Sequence, residues 1–225
     1  MADFTTELGP SAFSTDPYTQ ILPRITDLAR RTIAVVAAAS VTLVRSRRAW
    51  TVAPSGPLAS LLDEQQYRLG AGPCTDAARS GQQLLVDHRY DQTYPAFSAA
   101  ARSAGVSHTL SIGLPVPGHP ASLNLYVCAR GRVPGGVLDR ADQLAGYATI
   151  AVGEAIGQRA AAVHAEQRRS ALQAQVVVES ARGIVMHRRG LDPDAALQLL
   201  IQDAARQGVP LRVLAQRVVD RVVRY

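Results

Sequence analysis

The chain predicts an α+β fold: a mixed domain built around an antiparallel sheet, then a long helix feeding a compact all-α unit of three helices. Three observations carry this. Short alternating segments come in pairs separated by turn residues, the spacing of hairpins and not of βαβ units. From Leu138 no proline occurs until Pro193, and alanine dominates that stretch. Gly190 and Gly208-Val209-Pro210 then cut the remaining residues into short helices.

Taken in order, residues 1–16 lack periodicity and read as a loose leader. Asp16 is placed to cap a helix with Ile21, Ile25, Leu28 and Ala29 on one face, and Pro23 falls early enough in it to be tolerated. Ala39 to Arg45 and Ala49 to Ala53 alternate and flank Ser46-Arg47-Arg48, so they form a hairpin. Pro57 to Tyr67 is helical by spacing. The turn Leu69-Gly70-Ala71-Gly72-Pro73-Cys74 follows, then a short helix over Thr75 to Arg79. Leu84 to Asp87 is a short strand and Pro95 to Ser103 a helix. Thr109 to Pro115 and Ser122 to Cys128 are strands joined by the turn Pro117-Gly118-His119-Pro120.

In the alanine-rich stretch, Leu144, Ala148, Ala151, Ala155, Gln158, Ala162, Ala165, Arg169, Leu172 and Val176 recur at alternating steps of four and three. That is a heptad-like seam of mostly small residues, suited to a weak or switchable coiled coil. Its first half is equally suited to packing on the chain's own sheet, a task that a second stripe, Tyr147, Ile150, Ile156 and Val163, also fits. Beyond it, Asp192-Pro193 starts a helix with Ala196, Leu197, Leu199, Leu200, Ala204 and Ala205 on its apolar face. Leu211 to Arg224 makes the last, with Leu211, Leu214, Ala215, Val218, Val219, Val222 and Val223 inward.

Composition narrows the function. Of 225 residues 47% are hydrophobic and 19% charged, which suits a packed core and excludes a disordered chain. All 24 basic residues are arginine, so no P-loop lysine, Schiff-base lysine or lysine general base exists. Two cysteines are too few for a disulfide framework. The first ten residues carry no basic n-region, and the longest apolar run, Thr32 to Val44, is well short of the roughly 20 residues a membrane span needs. A soluble, cytoplasmic protein is expected. The net charge of +6 is uneven: residues 1–154 hold 13 arginines against 12 acids, and residues 155–225 hold 11 against 6. A basic C-terminal third points to an anionic partner.

No metal or catalytic set emerges. His88, His108, His119, His164 and His187 are scattered without ligand spacing, so no metal and no enzymatic activity are expected, and no motif names a cofactor. Cys74 reads either as a thiol activated by a helix N-terminus or as a small buried residue in a sharp turn. The C-terminal unit is more informative. Glu179-Ser180-Ala181-Arg182-Gly183-Ile184-Val185-Met186-His187-Arg188-Arg189 combines a small gap with an arginine cluster. Gly183 costs about 1 kcal/mol relative to alanine inside a helix. Close approach of another helix or of a phosphate backbone would account for it, and arginines there suit phosphates and unpaired bases.

With Ala171-Leu172, Asp194-Ala195-Ala196, Leu214-Ala215 and Val218-Val219 in place around that core, residues 168–223 resemble the ANTAR domain family. The resemblance implies a three-helix unit that binds paired hairpin loops in nascent RNA and prevents transcription termination. Arg182 stands at the family's usual lysine or arginine position. Leu197 stands where the pattern usually has an aromatic residue, and Gln175 where an arginine is often found. The N-terminal part is similar to GAF domains. This rests on Leu62-Asp63-Glu64-Gln65-Gln66-Tyr67, Gly70-Ala71-Gly72-Pro73-Cys74-Thr75-Asp76-Ala77, Tyr94-Pro95-Ala96-Phe97, Gly105-Val106, Leu110-Ser111-Ile112-Gly113-Leu114-Pro115 and Leu123-Asn124-Leu125-Tyr126. That likeness implies a six-stranded antiparallel sheet flanked by helices, with a cavity able to hold a small ligand.

The expected organisation is a GAF sensor over 17–160, a helical, coiled-coil-like linker over 161–170 and an ANTAR RNA-binding domain over 171–225. The expected function is signal-responsive, RNA-binding transcription antitermination. The expected RNA-facing residues are Ala181, Arg182, Gly183, Arg188 and Arg189, with Arg212 and Arg217 on phosphates. Tyr67, Cys74 and Tyr126 are expected to line the sensor pocket. A homodimer through the Leu144 to Val176 helix, RNA hairpin loops as partner and no membrane complete the expectation. Two rivals are a DNA-binding regulator, since three short basic helices resemble a helix-turn-helix, and a cysteine-dependent methionine sulfoxide reductase of GAF type.

Overall fold

The computed structural model describes residues 20–45 and 48–223. The loose leader, the Asp16 cap and the Ser46-Arg47 turn lie outside the described residues. The chain divides into two compact units, Met1–Gln158 and Arg159–Tyr225.

In the first unit, α1 (Leu22–Thr32) leads into β1 (Val36–Arg45) and β2 (Arg48–Thr51). Then come α2 (Pro57–Leu69), α3 (Pro73–Ser80), β3 (Gln83–Asp87), α4 (Pro95–Ser103), β4 (His108–Leu114) and β5 (Ala121–Val127). The strands pair antiparallel in the order β2-β1-β5-β4-β3. The described residues form five strands, where the family resemblance implied six. The edge strand β2 is only four residues long, and beyond it single backbone bonds from Val52 N–H to Val41 and from Ser55 N–H to Ala39 keep the chain against β1.

Register divides the sheet into two chemically different faces. Ala39, Val41 and Leu43 of β1 align with Leu125, Leu123 and Ala121 of β5, and these with Leu110, Ile112 and Leu114 of β4. This apolar face shares one core with Leu22, Ile25, Leu28 and Ala29 of α1. The core is completed by Ala141, Leu144, Ala148, Ala151 and Val152 of α5 (Gly135–Arg189). Each large aliphatic residue there is worth roughly 1.5–3 kcal/mol of burial. On the other face Ser40, Thr42, Thr109, Ser111, Ser122, Asn124 and Tyr126 are all buried as well. Beside them Ala38 and Tyr126 cluster with Ala59 and Leu62 of α2 and with Phe97 and Ala101 of α4.

The seam on α5 is thus divided. Leu144, Ala148, Ala151 and Ala155 are buried in their own unit, which removes them from any dimer contact, while Leu172 and Val176 are exposed. Of the second stripe, Tyr147 and Ile156 pack on the core, whereas Ile150 and Val163 stand exposed.

In the second unit, the C-terminal part of α5, α6 (Pro193–Gln207) and α7 (Leu211–Val223) surround Ala181, Leu200, Ala204, Leu214 and Ala215. Asp192 caps α6, its Oδ1 accepting from the backbone N–H of Asp194 at 3.0 Å and of Ala195 at 2.8 Å. Gly208, with φ of 64°, ends it in the left-handed conformation. Among the described residues no helix is long and apolar enough to cross a membrane.

Helix α3 touches the sheet at Gly113, where a Cβ would lie 2.4 Å from the carbonyl oxygen of Ala77 and 2.5 Å from the backbone of Gly81. Backbone cannot yield as a side-chain tip can. Gly113→Ala is expected to destabilise the protein by about 1–3 kcal/mol through overpacking, read as a lower denaturant midpoint at unchanged m-value.

Candidate functional sites

The polar face of the sheet is organised around one carboxylate. In α2, Ala59, Leu62, Asp63 and Gln66 are the buried positions, so an acid stands within the helix's inward face. Asp63 Oδ1 accepts hydrogen bonds from Ser40 Oγ at 3.0 Å and from the Tyr126 hydroxyl, and Oδ2 accepts from Thr51 Oγ1 at 2.7 Å. The Tyr67 hydroxyl pairs with Thr51 at 2.9 Å and Thr42 at 3.0 Å. Asn124 donates to Ser40 and Thr42, and the single Ser122 hydroxyl proton has two acceptors in reach, the carbonyl of Cys74 at 2.9 Å and Asn124 Oδ1 at 3.0 Å. Gln66 bridges the two halves, donating to the Tyr126 hydroxyl at 3.2 Å and accepting from the backbone N–H of Cys74 at 2.9 Å. Ser111, on the same face, is buried with no hydrogen-bond partner for its Oγ.

The three residues expected to line a sensor pocket therefore join one network, with Tyr67 and Tyr126 meeting through Thr51 and Asp63. The network also includes residues not expected in the pocket: Ser40 and Thr42, and Asp63, Gln66 and Asn124 from the segments that carry the family resemblance. Their signal was an acid at helical spacing among apolar residues, opposite strands whose alternate positions are polar.

The two glycines of the Cys74 turn serve different ends. Gly70 takes φ of 69° at the end of α2. Gly72 is extended, and a Cβ there would meet Gln66 Oε1 at 2.4 Å, so it is small to admit that amide. Cys74 lies in the first turn of α3, but burial, and next the charge of Asp63, push its thiol well above the usual cysteine range. Desolvation outweighs the helix terminus, and the thiol stays protonated at neutral pH. Cys128 stands six residues beyond Ser122, about 20 Å along an extended strand, while Ser122 touches Cys74. The two sulfurs are too far apart for a disulfide or a dithiol reaction. Among the described residues no group of three or more His, Cys, Asp or Glu is arranged to hold a metal.

A second buried chain of groups crosses from β3 to α4. His88 Nδ1 lies 2.8 Å from Ser98 Oγ, Nε2 lies 2.8 Å from Thr109 Oγ1, and Ser98 in turn donates to Asp91 at 2.6 Å. These bonds hold one neutral tautomer, with Nδ1–H donating and Nε2 accepting.

In the second unit the expected RNA-facing residues fall into groups. Ala181 is fully buried in the three-helix core and presents nothing to a partner. Arg182 is half-buried and paired with Glu179. Gly183 is exposed, and no atom lies within 4 Å of where its Cβ would be, so no neighbouring helix explains it. Arg188 and Arg189 are exposed at the end of α5. Arg212 and Arg217 lie elsewhere, on a groove of about 390 Å³ between α7 and Ser170, Gln173, Ala174 and Val177 of α5. This groove shares Gln173, Val177 and Gln216 with a wider one of about 840 Å³ that reaches Arg168, Arg169, Leu172 and Val176.

Burial raises the Asp63 carboxyl to about 6 and lowers the His88 imidazole to about 4. Between pH 4 and 6 the folded state holds a proton on Asp63 that the unfolded chain has released, so this group weakens folding as pH rises. His88 has the opposite sign: up to pH 6.5 the unfolded chain binds a proton that the folded state refuses, so stability grows with pH. The two effects oppose each other across that range. Asp63→Asn is expected to give stability that rises with pH from 4 to 6.5, and His88→Gln stability that falls from 4 to 6. Urea titrations across that range read the slopes; parallel slopes in both variants would contradict this assignment.

Residues 15–152 match the GAF domain family and residues 166–219 match the ANTAR domain family. Among curated proteins none matches the chain. Of solved structures, an N-acylhomoserine lactone dependent LuxR family transcription factor, CepR2 from Burkholderia cenocepacia, is similar at TM-score 0.51 and 14% identity, over 67% of this chain and 92% of its own. GAF3 of Slr1393 from Synechocystis is similar at 0.48 and 15%, over 62% and 95%. A domain of a two-component sensor histidine kinase from Sinorhizobium meliloti is similar at 0.49 and 15%, over 65% and 94%. At these identities the likeness concerns fold. The chain belongs to the GAF domain family, through residues 15–152, and carries an ANTAR domain over residues 166–219.

Proposed function

We propose that this protein is a signal-responsive regulator whose ANTAR domain binds hairpin loops in nascent transcripts and prevents termination, under control of the GAF domain. The observation that carries the reading is the pairing of the two domains with a charge surplus concentrated in the second. There Arg188, Arg189, Arg206, Arg212, Arg217 and Arg221 are exposed. Arg182, half-buried and paired with Glu179, and the open backbone at Gly183 precede Arg188 and Arg189 on the same helix. The polar core around Asp63, with Tyr67, Cys74 and Tyr126 in its network, is the region of the GAF domain suited to receive a small polar ligand. Binding there exchanges internal hydrogen bonds for bonds to the ligand and so acts on α2, α3 and the sheet together.

The reading is tested by binding of full-length protein to RNAs that carry two hairpins, with duplex DNA as competitor. Log affinity is expected to fall linearly with log salt. Replacing Arg188 and Arg189 by alanine is expected to reduce that slope by about 0.7 for each phosphate left without its arginine. Preference for the duplex would favour a DNA-binding regulator instead.

The protein acts as a homodimer in this proposal, paired through the exposed part of the α5 seam. Leu172 and Val176 are its large apolar members, 63% and 64% exposed. Leu172→Glu with Val176→Glu is expected to shift sedimentation from dimer to monomer. Ile150→Glu, off the seam, is expected to leave it unchanged.

A further inference from the structure

The arginines of the second unit do not form one surface, and the groove between α5 and α7 is the better-built half. Its floor is aliphatic, from Ala174 and Val177, and its rim carries Arg212 and Arg217 with two amides, Gln173 and Gln216. A volume of about 390 Å³ is that of a small-molecule site. Arg212 and Arg217 are the arginines of this groove, and Asp220 is the acid beside it, accepting from Gln216 Nε2 at 2.7 Å; on the adjoining part Arg168 adds a further cation and Arg169 pairs with Glu166.

That charge decides between occupants. A second copy docking by two-fold symmetry would set the groove against itself, arginine on arginine. The wider groove reaches the seam at Arg169, Leu172 and Val176, whereas the narrower one is lined by Gln173, Ala174 and Val177, with Gln173 about 100° around the helix from Leu172. A polyanion has the matching charge. An apolar floor with planar guanidinium and amide groups at its edge suits one particular part of it, an unpaired base flanked by phosphates. Guanidinium planes stack on bases and bind phosphates, and a side-chain amide pairs with a base edge. We propose that this groove seats an unpaired loop base of the RNA, with Gln173 and Gln216 reading its edge and Arg212 and Arg217 holding it and its phosphates. The inference rests on the RNA-binding reading above and names the seat for the loop.

The experiment uses the full chain and an RNA selected from a pool of two-hairpin molecules with randomised loops. Loop bases are then removed one at a time as abasic nucleotides. Wild type is expected to lose about tenfold or more at one position. Ala174→Phe, which fills the groove without changing charge, is expected to lose a similar factor with intact RNA, and nothing further when that base is removed. Arg212→Ala and Arg217→Ala are each expected to lower the salt slope by about 0.7. Should Ala174→Phe fail to fold by circular dichroism, Gln173→Ala with Gln216→Ala, both exposed positions, runs the same cycle. If wild type binds the selected RNA but these variants bind as it does, or if base removal and groove filling simply add, the groove is overturned and RNA binding stands. If the variants change sedimentation but not RNA affinity, the groove contacts a second copy and the proposal falls. If the selection enriches no RNA, the RNA-binding reading fails and takes the groove with it.

Discussion

A carboxylate buried away from water and from any cation is among the costlier things a small domain can hold. Asp63 persists in that position because hydroxyls from three separate strands reach it: Ser40 on β1, Thr51 on β2 and Tyr126 on β5. Much of the first unit follows from satisfying that one group. Helix α2 has to lie over the sheet at the height of β1 and β5. The four-residue edge strand β2 is tied inward through Thr51. Gln66, one turn along α2, extends the same demand to the start of α3 through the backbone of Cys74. With Gly113 admitting α3 against β4, the polar face is closed from above by helices and not left to solvent.

The opposite face is held by ordinary means. Its aliphatic residues meet α1 and the first part of α5, and the small residues of α5 let that helix come close. The two faces therefore respond differently to change. The apolar one loses stability in proportion to the volume removed. The polar one depends on a closed set of donors and acceptors, in which removing one member strands its neighbours.

Most elements were legible in the sequence because turn residues punctuate them: Pro57, Pro73, Pro95 and Pro193 start helices, and Gly70, Gly81, Gly190 and Gly208 end segments with positive φ. The change of composition near Leu138 marks the start of α5, while the division between the units falls later, between Gln158 and Arg159. The character of the sensor core was not legible. Alternation in Ala39 to Arg45 and in Ser122 to Cys128 shows that two faces differ, and it cannot show that both are dry. Serine, threonine and asparagine at alternate positions read as a solvated face until α2, α3 and α4 are seen to cover them. Asp63 was hidden for the same reason, since a fully buried acid is rare enough that spacing alone does not announce it. On the output side, Ala181 matched the family pattern but serves the core. The division of the arginines between the end of α5 and the α5–α7 groove depends on how three helices pack, which no local pattern encodes.

The absence of lysine has a consequence for how such a basic surface can be controlled. A guanidinium does not lose its proton in any range a cell visits. It also escapes the acylating chemistry that erases an amine's charge. The attraction of the C-terminal unit for an anion is thus a fixed quantity. Control over it has to come from which arginines are presented together and where, a matter of geometry and assembly.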